Sequence, residues 1–144
     1  MKNILLLCLL VGASQFVSAA NASSDREAIQ GLWKPVTAEL SGQPMPDTVL
    51  QIISLKLDHG NYEVNVGEAP DRGTYTLDPG TNPKAITVIG TEGPNQGRTF
   101  PAIYELDGDM LRICYDLSGG RRPAEFKSLA GTKLYLVTYK RQKA

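Results

Sequence analysis

From Gly31 to Arg141 the chain alternates apolar and polar residues in short runs, and turn-forming residues separate one run from the next. A period of two is the mark of a strand with one buried face. Eight such runs can be read: LWKPVTAEL, ISLKLDH, NYEVNVG, RGTYTLD, KAITVIGT, RTFPAIYEL, MLRICYDL and KLYLVTYKR. His59-Gly60-Asn61 predicts a hairpin between the second and third, and Asp107-Gly108-Asp109 a tight turn before the seventh. Ahead of them, Ser24 to Gly31 reads as one short helical turn, with Ser24 and Glu27 spaced as a capping box. TVLQIIS, before the second strand, fits either a short helix or the lead-in to a strand. Many short strands at regular spacing, with no long helix between them, predict an all-β fold, and an up-and-down antiparallel barrel of eight strands leaves no edge unpaired.

Alternation also assigns faces. The inward set is Leu55, Leu57, Tyr62, Val64, Val66, Tyr75, Leu77, Ile86, Val88, Phe100, Tyr104, Leu106, Leu111, Ile113, Tyr115, Leu134 and Leu136. The opposite register, with Lys56, Asp58, Glu63, Asn65, Thr74, Thr76, Arg112 and Asp116, suits solvent. An apolar face of this kind has two readings: a filled core, or a core that leaves a pocket for an apolar molecule, with tyrosine hydroxyls as its few polar contacts.

The first twenty residues follow a different pattern. Lys2 precedes an apolar run of about ten residues, and small residues follow, with Ala19, Ala20 and Ala22 as cleavage positions, as in a secretion signal. That run is too short to span a bilayer, which takes about 20 apolar residues. Residues 1–20 are therefore expected to be removed, leaving 21–144 as one exported domain, periplasmic or extracellular, without a membrane span. Cys8 leaves with the signal, so Cys114 has no partner for an internal disulfide and reads as a small buried hydrophobe.

Charge and chemistry narrow the function further. Fifteen basic and fifteen acidic residues balance, which gives no electrostatic case for nucleic acid. Residues 91–100, TEGPNQGRTF, look like a phosphate loop, but three residues separate the glycines, Arg98 replaces the lysine, and a strand pattern follows instead of a helix. They are expected to form a hairpin. His59 is the one histidine and falls on a turn, so neither a metal site nor a catalytic base is predicted. Glu39, Glu105 and Glu125 read as solvated, and the Asp107–Asp109 turn has too few ligands for calcium. No cofactor and no catalytic activity are expected. In GGRRP, Arg121 and Arg122 stand between flexible residues and are candidates for a rim that grips a carboxylate or phosphate head.

Two local motifs carry a resemblance. Gly31-Leu32-Trp33 opens the first strand and Tyr139-Lys140-Arg141 closes the last, which is similar to the Gly-x-Trp and late basic residue of lipocalin-like barrels. The resemblance implies that Arg141 packs across Trp33 and, with Gly31, closes one end. Over most of the mature chain, 21–144, the sequence resembles a small secreted lipocalin-like domain family known chiefly from planctomycete bacteria. The segments that carry it are GLWKPVTAELSGQPMP, GTYTLDP, NPKAITV, TEGPNQGRTFPAIYELDGDMLRIC and RRPAEF. It implies an exported barrel and brings no activity with it. The Thr-Asp-Tyr loop motif and C-terminal helix of wider lipocalins are missing, so a large cavity is not expected, although a shallow one at the mouth is. The expected function is a non-enzymatic barrel that binds a small hydrophobic or amphipathic molecule. The alternative is a filled barrel that meets an envelope protein through its exposed loops.

Overall fold

The structure is a computed structural model that describes residues 24–67 and 69–143. The expected signal at 1–20 lies outside the described residues. A helical turn, α1, covers 24–28, and β1 follows at Gly31–Leu40. A two-residue strand β2 (Gln43–Pro44) folds back on the end of β1, and a single turn of helix, α2 (Asp47–Leu50), leads to β3 (Ile53–Asp58). TVLQIIS is thus divided between helix and strand, with Leu50 buried.

Six more strands follow: β4 (Asn61–Val66), β5 (Ala69–Asp78), β6 (Lys84–Glu92), β7 (Thr99–Asp107), β8 (Met110–Asp116) and β9 (Leu134–Gln142). Each of β3 to β8 pairs antiparallel with the next strand. At the β3–β4 turn, His59 and Gly60 have φ of 48° and 84°, the left-handed pair that a two-residue hairpin needs. β1 completes the ring. Gly31–Trp33 pair with Leu57–Leu55 of β3, and Leu32 through Leu40 pair with Gln142 through Tyr135 of β9. The register shifts between Pro35 and Thr37, which bends β1 where proline has no N–H to donate. The result is a closed, eight-stranded, up-and-down barrel with no long free edge.

The inward residues build the core. Trp33, Tyr104, Ile86, Leu111, Ile113 and Val137 are fully buried, and each large apolar side chain contributes roughly 1.5–3 kcal/mol. On β9 the expected register is corrected by one residue. Tyr135, Val137 and Tyr139 belong to the interior, and Leu134 and Leu136 face outward, Leu136 opposite Cys114. The reason is the long β8–β9 connection, residues 117–133, which folds over the outer wall and provides a second buried surface. Cys114, fully buried, donates its S–H to the Lys127 carbonyl at 3.4 Å. Ile103, its neighbour on β7, is also buried, and the Arg112 guanidinium lies 4.1 Å from the centre of the Phe126 ring. Burial pushes the Cys114 thiol up from its usual value, in keeping with an inert hydrophobe.

Asp116 is a second correction. Expected in solvent, it is only 9% exposed. Its carboxylate accepts from the backbone N–H of Ser118 (3.0 Å) and of Arg121 (2.9 Å), and from the Ser118 hydroxyl (2.5 Å). Burial pushes this carboxyl up, but the hydrogen bonds outweigh it and hold the group below its ordinary value. Asp116 therefore anchors the start of the covering loop.

Candidate functional site

The two ends of the barrel are built differently. At one end α1 acts as a plug. Ile29, just after the helix, is fully buried, and the Trp33 indole N–H donates to its carbonyl at 2.9 Å. Arg141 lies over Trp33, 4.3 Å from the ring. Its two Nη groups donate to the Ala28 and Gln30 carbonyls, which the end of a helix otherwise leaves without partners. Nε donates to Asp109 at 3.0 Å. Gly31, with φ of 139°, is glycine because a Cβ there would stand 2.8 Å from Arg141 Nη1. Asp25 of α1 accepts from the Tyr104 hydroxyl at 2.6 Å and from Lys84 at 2.9 Å. The Tyr104 phenol is raised well above its ordinary range, first by burial and then by Asp25. Every polar group named here has a partner.

At the opposite end the barrel stays open. An apolar cavity of about 210 Å³ descends between β3–β9, walled by Leu55, Leu57, Val64, Ile86, Val88, Phe100 and Ile113. Ile53, Val66, Asp71, Asn95 and Leu117 complete its lining. Five of the chain's six tyrosines contribute: Tyr62, Tyr75, Tyr115, Tyr135 and Tyr139. Tyr62 donates to Asp71 at 3.4 Å, and Asp71 also accepts from the Asn95 side chain at 2.7 Å. The hydroxyls of Tyr115 and Tyr139 meet at 3.3 Å, and the Tyr115 and Tyr135 rings stack with centroids 5.7 Å apart. The Tyr75 hydroxyl is buried with no hydrogen-bond partner among the described residues. Burial pushes Tyr62 and Tyr135 up to about 12, and it raises Tyr115 and Tyr139 well above their ordinary value. At neutral pH all of these phenols keep their protons. Among the described residues the lining has no lysine, arginine or histidine.

Eleven of the residues singled out in the sequence come together around this cavity: Leu55, Leu57, Tyr62, Val64, Val66, Tyr75, Ile86, Val88, Phe100, Ile113 and Tyr115. Trp33 and Tyr104 lie at the plugged end, in the core rather than in the cavity wall. Leu136 is outside. Of the rim assigned to Arg121 and Arg122, the place of Arg122 is corrected. Arg122 extends along the outer wall, donating to the Ile86 and Ala102 carbonyls at 2.9 and 2.7 Å and to the Thr87 hydroxyl at 2.8 Å. Arg121 is exposed and is held through its backbone N–H by Asp116. The arginine beside the opening is Arg98, which donates to the Leu117 carbonyl at 2.8 Å and lies 4.9 Å from the Phe100 ring centre. Residues 93–98 form the β6–β7 hairpin connection, as expected.

Fold and site together define a class: a small closed barrel, plugged at one end and hollow and apolar at the other. The chain is similar in fold to a DUF4847 family protein from Bacteroides vulgatus ATCC 8482, known from a crystal structure at 1.00 Å resolution. The match has a TM-score of 0.50 and 12% identity, and it covers 84% of this chain and 99% of that one. No family model matches the chain, and no curated protein does. At that identity the likeness is one of fold.

Proposed function

We propose that this protein is an exported, non-catalytic barrel that holds a small, largely apolar molecule in its open end. The observation that carries the reading is the cavity itself, about 210 Å³ of apolar space entered from one end. A dry cavity of 150 Å³ lined by Leu, Ile and Phe suffices for benzene, so this one suits a ligand of roughly nine non-hydrogen atoms. It is smaller than the usual drug-sized pocket of about 300–1,000 Å³, which argues against a long lipid tail lying wholly inside. The titratable groups in the wall are phenols and one carboxylate, Asp71, which is already engaged by Tyr62 and Asn95. His59 stands exposed beside Asp58 on the outer turn. This composition supports binding rather than turnover.

Native mass spectrometry of the protein purified without detergent tests the reading, followed by titration with isopropylbenzene. A retained small molecule, or saturable uptake of the probe that Val64→Phe abolishes by filling the cavity, is the expected result. A bare mass with no uptake would leave the barrel to act through its outer surface.

A further inference from the structure

The Tyr115–Tyr139 pair leaves a hydrogen-bond donor unspent inside the cavity. Two hydroxyls 3.3 Å apart carry two protons, and one of these is used between them. The other has no acceptor among the described residues, and Tyr139 is only 3% exposed. The donor is held in place, since Tyr135 stacks on Tyr115 and the two strands that carry the pair, β8 and β9, are hydrogen-bonded neighbours. Tyr115 is half-buried, and a hydroxyl that faces an apolar cavity favours a ligand that brings it an acceptor over one that does not. The acceptor's charge is constrained as well. Among the described residues the lining carries no cation, and its one carboxylate, Asp71, is at the mouth, so a carboxylate ligand would lose its hydration without finding a counter-charge. Burial, and after it the neighbouring tyrosines, raise the ionisation of both phenols, so they stay protonated donors at neutral pH.

On the premise that the cavity binds a small apolar molecule, we infer that it selects neutral molecules carrying a hydrogen-bond acceptor, such as an aryl or alkyl ketone or ester. Molecules of the same shape that lack the acceptor, or carry it as a carboxylate, are disfavoured, and the Tyr115–Tyr139 pair supplies the donor. This goes beyond size and apolarity to the chemical class of the cargo.

Three probes of nearly one shape separate the terms: isopropylbenzene, acetophenone and benzoate, each titrated calorimetrically into the purified protein at pH 7. Acetophenone is expected to bind about three- to tenfold more tightly than isopropylbenzene, the worth of one hydrogen bond, and benzoate more weakly than either. A single Tyr→Phe change in the pair leaves the remaining hydroxyl free to donate, so the informative variant is Tyr115→Phe with Tyr139→Phe. Its acetophenone preference should fall to about parity while isopropylbenzene still binds, which also shows that the barrel is intact. Equal binding of acetophenone and isopropylbenzene by the unaltered protein overturns the inference and leaves the cavity reading standing. Benzoate binding that matches acetophenone and is lost in Arg98→Ala overturns it in favour of the rim arginine. A preference that survives the double change but disappears in Tyr75→Phe or Tyr135→Phe overturns the assignment to the pair. Failure of all three probes removes the premise itself.

Discussion

The plugged and open ends of this barrel are made from the same strands and similar residues, yet they spend their polar groups in opposite ways. At the plugged end Trp33, Arg141, Asp25, Tyr104 and the last carbonyls of α1 satisfy one another, and little is left for a visitor. At the open end Tyr115, Tyr135 and Tyr139 face an apolar cavity, and the Tyr115–Tyr139 pair keeps one donor beyond the bond between them. The comparison teaches how a small barrel can be both stable and receptive: stability is concentrated where the network is complete, and binding where it is left incomplete.

That division can be broken most forcefully at Trp33. Trp33→Ala removes a fully buried ring together with its hydrogen bond to Ile29, and a loss of about 3–5 kcal/mol is expected in urea unfolding. Arg141→Ala comes next. It releases the ring contact and the carbonyls of residues 28 and 30, at about 2–4 kcal/mol, and α1 amides should lose hydrogen-exchange protection first. The sharpest contrast is a pair of identical changes. Tyr104→Phe deprives the Asp25 carboxylate of a donor and should cost about 1.5–3 kcal/mol, while Tyr139→Phe should cost only about 0.5–1 kcal/mol. Equal losses in the two variants would erase the distinction between the ends.

The smallest effect concerns pH. Asp116 has a folded-state ionisation below its unfolded value of about 3.9, so its contribution is complete above that value and is lost as pH falls through the folded one. Residues 117–121 should loosen in that acid window, seen as changed amide signals of Ser118 and Arg121, before the plugged end responds.

Much of this was legible in the sequence. Alternation in ISLKLDH, NYEVNVG and MLRICYDL has one solution, since Lys56, Asp58, Glu63, Asn65, Arg112 and Asp116 all fall in one register, and the cavity wall from Leu55 to Ile113 follows from the other. KLYLVTYKR is different because Leu134 to Val137 are all apolar and either register presents an apolar face. A clue lay further along the same strand. If Arg141 packs on Trp33, then Tyr139, Val137 and Tyr135 must face inward with it, two residues apart. Leu136 is apolar for a non-local reason: the 117–133 loop lies over that part of the outer wall, and nothing in the strand itself announces a cover. The placement of Arg122 was hidden for the same reason. Asp71 and Asn95 join the cavity only because the β5 strand and the β6–β7 connection meet across the mouth, a contact between residues 24 positions apart.

The pairing of β1 with β9 also sets the order of events in making the molecule. Leu32 lies opposite Gln142, so the first strand of the ring waits for the last. Until Leu134–Gln142 has been supplied, β1 has only its short pairing with β3 and the stub of β2, and Trp33 has no Arg141 above it. Closing a loop of more than a hundred residues places this chain among slow-folding, high-contact-order topologies. The barrel therefore closes only once Leu134–Gln142 is in place, and a chain shortened by that strand would be left as an open sheet with both edges exposed.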